Sequence, residues 1–254
     1  MRTIPEPIAW MLPPLVADLR AALGGDLVAV YLYGSAINGG FEPGWSDLDL
    51  IVVTEPAADE LDLDALSAVH DRLATREPDW EHRRDIAYVG RATLASFRAG
   101  GSVASISHDD PLQVTHDADD WLQTWYLVRT ADAPIVGPPP SDLIPPISPE
   151  EFVRAVALDA DRIVGLTSPD SWSGPLTYTI LTLCRVLVAL DTGAVISKQD
   201  AAAVIAERRP EWRWMLDASL RVRREEARLP LSPEEQAAAA RLIEELVTEV
   251  RARR

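Results

Sequence analysis

The chain has 254 residues, 47% of them hydrophobic, enough for one large domain or two smaller ones with genuine cores. A formal net charge of −16 argues against a nucleic-acid-binding surface, which needs a basic stripe, and a single cysteine excludes a disulfide framework or a thiolate zinc site. The N-terminus lacks the apolar stretch of a signal peptide, and charges or prolines interrupt every later apolar run. The expectation is therefore a cytoplasmic protein with no nucleic-acid partner and no membrane segment.

In chain order, the spacing of Leu15, Val16, Leu19, Ala22 and Leu23 predicts a helix over 12–23, stopped by Gly24 and Gly25. The β-rich run Leu27-Val28-Ala29-Val30-Tyr31-Leu32-Tyr33 predicts a strand that ends at Gly34. Gly39-Gly40 and Pro43-Gly44 punctuate a loop before a second strand, which opens Asp47-Leu48-Asp49 and continues Leu50-Ile51-Val52-Val53. A helix over about 61–76 and a short strand over 85–89 follow, which gives a small mixed sheet backed by helices. Residues 101–125 are rich in Asp and His, and their acidic character favours a solvated loop leading into a helix over the alternative, a ligand-facing cluster.

Gly137-Pro138-Pro139-Pro140, with Pro145-Pro146 close behind, reads as a stiff linker, so the expected division is 1–140 and 141–254. Beyond it nearly everything is helical. Ser148 and Ser232 each open a capping box with proline at the first helical position. A helix over Leu176 to Asp191 stops at Gly193, Ser197 caps one beginning near Lys198, and the last runs from Pro233 to Ala252. Cys184 lies in an apolar helical run, where a buried, inert thiol is expected. The fold class is thus α+β, with an N-terminal sheet domain and a C-terminal helical bundle.

Successive strand side chains alternate between faces, so Asp47 and Asp49 share one. Two neighbouring carboxylates repel unless a cation sits between them, and Mg²⁺ suits a few carboxylates plus substrate phosphates. Gly34 lets the backbone approach a phosphate, and Ser35 can donate its hydroxyl to one. Asp85, at the start of the next strand, is the natural third carboxylate and proton acceptor, with Glu81 as a poorer substitute. The competing reading of Asp47 and Asp49 is an acidic pair that protects an edge strand.

Gly34-Ser35, a spacer and Asp47-Leu48-Asp49 resemble the signature of nucleotidyltransferases of the DNA polymerase β type. Within that superfamily the whole chain resembles the aminoglycoside (3″)(9) adenylyltransferases, whose N-terminal nucleotidyltransferase domain is followed by a helical one. The resemblance extends to the interval from Arg185 to Lys198, which implies that both contact the phosphates of ATP. It further implies Mg²⁺ on Asp47, Asp49 and Asp85, with Asp85 also the base where the family has a glutamate. Gly34, Ser35 and Ser46 would bind the nucleotide, in a cleft closed by the helical domain. A small, hydroxylated, cationic acceptor such as streptomycin or spectinomycin is implied, with Trp172 and Asp170 as its contacts. Ser171 and Pro175 stand where the family carries acids, so another acceptor, or a non-catalytic nucleotide-binding or antitoxin-like protein, stays open.

Overall fold

The structure is a computed structural model that describes residues 4–107, 110–165, 167, 173–225 and 231–253. It divides into two compact units, residues 1–147 and 148–254.

The first unit opens with helix α1 (Glu6–Leu23), which begins earlier than its sequence pattern predicts and carries Pro13 and Pro14 inside it. Ile8, Met11, Leu12, Leu15, Val16 and Leu19 form its buried stripe, so packing carries the helix through two residues that weaken its ladder. Strand β1 (Leu27–Leu32), the single turn α2 (Ser35–Asn38) and strand β2 (Leu48–Thr54) follow. Helix α3 (Leu63–Arg76), whose Asp62 cap accepts the Ala65 amide at 3.0 Å, crosses over to strand β3 (Arg84–Gly90). Next come α4 (Arg91–Ala95), β4 (Val103–Ser107), β5 (Gln113–Thr115), α5 (Leu122–Ala131), β6 (Pro134–Val136) and α6 (Pro140–Leu143).

The sheet has six strands in the order β5-β4-β3-β2-β1-β6. Only β2 and β3 run parallel, as a pair joined by a helical crossover should; every other pairing is antiparallel. The strand carrying Asp49 is therefore interior, which removes the edge-protection reading of the acidic pair. Where a solvated loop was expected ahead of a helix, residues 101–125 supply strands β4 and β5 before the expected helix, α5, begins, and Trp125 is fully buried. Their interspersed serines and aspartates hide a short alternation in which Ala104 and Ile106 face one core and Val103 the other.

The unit boundary falls after Ile147 rather than at residue 140, because the proline-rich segment is fastened to the sheet unit. Pro134–Val136 pairs with β1, Tyr31 donates its hydroxyl to the Pro138 carbonyl at 2.9 Å, and Arg98 reaches the Pro146 carbonyl at 2.8 Å. Ile144 and Ile147 complete the core on that face of the sheet.

The second unit is helical: α7 (Pro149–Gly165), α8 (Ser173–Thr192), α9 (Lys198–Arg208), α10 (Arg213–Glu225) and α11 (Pro233–Ala252). The expected caps form. Ser148 and Ser232 exchange hydrogen bonds with Glu151 and Glu235, and Ser197 accepts the Asp200 amide at 3.0 Å. Gly193 takes a left-handed conformation and returns its amide to the Ala189 carbonyl at 2.8 Å, which stops α8. Helix α8 packs against the other four. Its Gly174–Thr192 stretch is long and apolar enough to cross a membrane, contrary to the expectation that no segment would approach this, but 61% of it is buried. It is the core of the unit. Cys184 lies there, and burial pushes its thiol up to about 12, as an inert core cysteine requires.

Candidate active site

The register of the sheet builds the site row by row. On one face, Ala29, Val53, Val89 and Val103 form a wholly apolar row across β1, β2, β3 and β4. The next row on that face is Tyr31, Ile51, Ala87 and Ser105. One step further, the amide of Tyr33 donates to the Asp49 carbonyl at 3.1 Å, Asp49 is in register with Asp85, and Asp85 with Ser107. In-register neighbours share a face. The face thus ramps from aliphatic core to a polar row of Tyr33, Asp49, Asp85 and Ser107, and Asp47, just ahead of β2, lies near enough for its charge to act on the Tyr33 hydroxyl.

Parallel strands lie about 4.8 Å apart, so Asp49 and Asp85 are close neighbours with like charge. The Tyr33 ring registers the effect. The residue is only 6% exposed, and burial, then the charges of Asp85, Asp49 and Asp47, drive its hydroxyl well above its ordinary range. Tyr33 therefore keeps its proton at any physiological pH. Asp47, Asp49 and Asp85 are each half-buried, whereas Glu81, the substitute for Asp85, is exposed before the row begins.

Gly34 is shaped by this row. Its φ of +65° and ψ of −146° suit glycine alone, and a Cβ added there would lie 2.0 Å from Asp49 Oδ2. The turn thus brings bare backbone against the carboxylate, with its carbonyl receiving the amides of Ile37 and Asn38. Ser35 follows, and its Oγ is buried with no hydrogen-bond partner in the protein. A buried hydroxyl left over by the fold is what a bound acceptor group would satisfy. Ser46, by contrast, is 1% exposed, and its Oγ accepts the Glu42 amide at 2.9 Å, which closes the turn before Asp47.

Among the described residues no three His, Cys, Asp or Glu side chains already converge to ligating distance. The donors gathered on this face are nevertheless all hard carboxylate oxygens, which fit Mg²⁺ when substrate phosphates complete the shell. Register alone explains why sequence reading missed Ser107: its type is not distinctive, and only the pairing of β3 with β4 puts it in the row. Tyr33, immediately before Gly34, was the legible one.

In the second unit Arg185 is half-buried on α8, one turn after Thr182, whose Oγ1 is buried without a hydrogen-bond partner. Lys198 opens α9 and holds its Nζ 4.4 Å above the Tyr178 ring of α8, a cation–π contact. Trp172, Asp170 and Ser171 lie outside the described residues. Pro175 stands in the first turn of α8.

Comparison with known proteins agrees with both units. Residues 16–87 match the family model of the nucleotidyltransferase domain, and residues 142–250 match that of the aminoglycoside adenylyltransferase C-terminal domain. The aminoglycoside (3″)(9) adenylyltransferase of Klebsiella pneumoniae is 26% identical over 228 residues, covering 80% of each chain. The spectinomycin 9-adenylyltransferase of Enterococcus faecalis is 24% identical over 212 residues, 76% of this chain and 77% of that one. A crystal structure of a spectinomycin adenyltransferase from Enterococcus faecalis, with ATP and spectinomycin, superposes with a TM-score of 0.74 at 19% identity. It covers 96% of this chain and 99% of its own, which shows a common fold. Matched in sequence over both units, the chain belongs to the aminoglycoside adenylyltransferase family of nucleotidyltransferases.

Proposed function

We propose that the protein transfers AMP from ATP to a hydroxyl of an aminoglycoside or aminocyclitol such as streptomycin or spectinomycin. The observation that carries this reading is the in-register pairing of Asp49 with Asp85 beside the Gly34 turn. Like charges set side by side on interior strands cost the fold energy, and nucleotidyl transfer supplies a reason for them.

In the reaction the acceptor oxygen attacks the α-phosphorus, the new P–O bond forms, the bond to the β-phosphate bridging oxygen breaks, and pyrophosphate leaves. Asp85 takes the hydroxyl proton, and its place on a rigid strand fixes the direction of attack. Asp47 and Asp49 supply the remaining carboxylate ligands. Bound Mg²⁺ would neutralise charge on the transferring phosphoryl group and the leaving pyrophosphate. Bare backbone at Gly34 admits the triphosphate, and the Ser35 hydroxyl finds its partner there. Arg185 and Lys198 are assigned to the phosphates of ATP on resemblance alone; within its own unit the lysine rests on the Tyr178 ring. Trp172 and Asp170 are assigned to the acceptor on resemblance alone.

The test is pyrophosphate release from Mg²⁺–ATP with streptomycin, spectinomycin and an uncharged cyclitol offered in turn. Release that requires one of the two antibiotics supports the reading. No release above ATP alone with either would overturn it, and release with the uncharged cyclitol only would assign a different acceptor, a reading that Pro175 favours by standing where the family carries an acid.

A further inference from the structure

Asp47 differs from the other two carboxylates in how it is held. Asp49 and Asp85 sit within the β2–β3 ladder, whereas Asp47 precedes the first residue of β2 and follows a loop containing Gly39, Gly40 and Gly44. A ligand on such a segment needs another restraint, because a useful site requires its groups within about 0.5 Å of the working geometry.

Arg83 provides that restraint. Its guanidinium donates through one terminal nitrogen to the carbonyl of Ser46 at 3.1 Å and through Nε to the carbonyl of Asp79 at 2.7 Å. The same group lies 4.4 Å above the ring of the buried Trp80. On the other side of Asp47, the amide of Leu48 donates to the Arg83 carbonyl at 2.8 Å. One residue thus grips the chain immediately before and immediately after Asp47. That residue stands two positions before Asp85 on the same chain segment.

We propose that Arg83 is a positioning residue that fixes Asp47 relative to Asp85 for the binding of the divalent cation. The inference rests on the adenylyl-transfer reading above. The planar fork explains the residue type: it serves two carbonyls in different directions while its face stacks on an indole, which an ammonium cannot do. Arg83 touches no reacting atom. It acts by tying the Ser46 peptide to the turn of residues 78–80 that leads into β3.

The experiment is a direct titration of Mn²⁺, followed by the loss of the free-ion electron paramagnetic resonance signal, with α,β-methylene-ATP present. Wild type, Arg83→Ala and Arg83→Lys are compared. Supporting residues around metal ligands are worth about 10- to 100-fold in metal affinity, and Arg83→Ala should lose at least about 10-fold. Arg83→Lys keeps the charge and part of the reach, and should fall between. The KM for ATP at saturating metal should stay near the wild-type value, a split that a general loss of structure would not produce. Should the alanine variant fail to fold, the lysine variant alone decides: a weakened Mn²⁺ affinity supports the role. Wild-type affinity in a folded variant would overturn it. Wild-type protein that binds no Mn²⁺ under these conditions would instead refute the metal-dependent reading itself.

Discussion

The two faces of the N-terminal sheet treat their polar groups in opposite ways. On the face covered by α1 and α3, Tyr88 donates to or accepts from His70 Nε2 at 2.9 Å, and Arg84 donates to the His70 carbonyl at 2.9 Å, all inside an aliphatic layer. On the other face, one residue further along β3, Asp85 lines up with Asp49. The first arrangement is a hydrogen-bonded set sealed in the core, with His70 Nδ1 and Arg84 Nε left buried without hydrogen-bond partners, and serves the fold. The second gathers like charges where the core ends, which serves a ligand at the expense of the fold. Adjacent residues of one strand, Arg84 and Asp85, belong to these two regimes. Alternation along a strand is all that separates them.

The largest break in this contrast comes from removing a carboxylate. Asp85→Asn or Asp49→Asn should lower AMP transfer by about 10²- to 10⁴-fold, the range for a positioned base or comparable group, without loss of fold by circular dichroism. An enzyme that keeps its turnover would place the chemistry elsewhere. Gly34→Ala should abolish transfer as well, and also destabilise the protein, because a non-glycine residue held in this sparsely populated φ/ψ region costs about 1–3 kcal/mol before any collision with Asp49. A denaturant midpoint equal to that of the wild type would show that the turn relaxes freely.

The closed face makes its own prediction in acid. Burial, then the nearby Arg84 charge, lowers His70 from its ordinary 6.5 to about 3. Between those values the unfolded chain binds a proton that the folded protein refuses. The contribution is therefore whole above about pH 6.5 and is lost as pH falls, at about 1.4 kcal/mol per pH unit. His70→Phe should flatten the stability profile over this window. It should also cost about 1–3 kcal/mol at neutral pH by leaving the Tyr88 hydroxyl unpaired in the core. An unchanged acid slope, measured by urea unfolding, would show that other groups dominate it.

Much of this division was legible in the sequence, and what was not has physical causes. Gly34, Ser35 and the carboxylates stood out because glycine, hydroxyl and acid in that order are improbable in a plain strand. The helix caps at Ser148, Ser197 and Ser232 were readable because capping is a local hydrogen-bond pattern. Strands β4, β5 and β6 were hidden, since each is short and owes its existence to a neighbouring strand rather than to its own composition. The proline run looked like a boundary but is bonded down by Tyr31 and Arg98, partners distant in sequence. Arg83 and Ser107 escaped notice for the same reason: their partners are set by register and turn geometry. The acceptor contacts were the least legible, because Ser171 and Pro175 interrupt the acidic pattern that the resemblance implies.

The smallest effect is the most telling. In metal-free protein, Asp49→Asn relieves a like-charge neighbour and should raise stability by about 0.2–1 kcal/mol. The decisive measurement is to record, on one preparation of Asp49→Asn, the metal-free urea midpoint and the transfer of label from α-³²P-ATP to spectinomycin or streptomycin. A row built for chemistry at the expense of the fold predicts a midpoint above that of the wild type together with label transfer near background. A lower midpoint with undiminished transfer would contradict it.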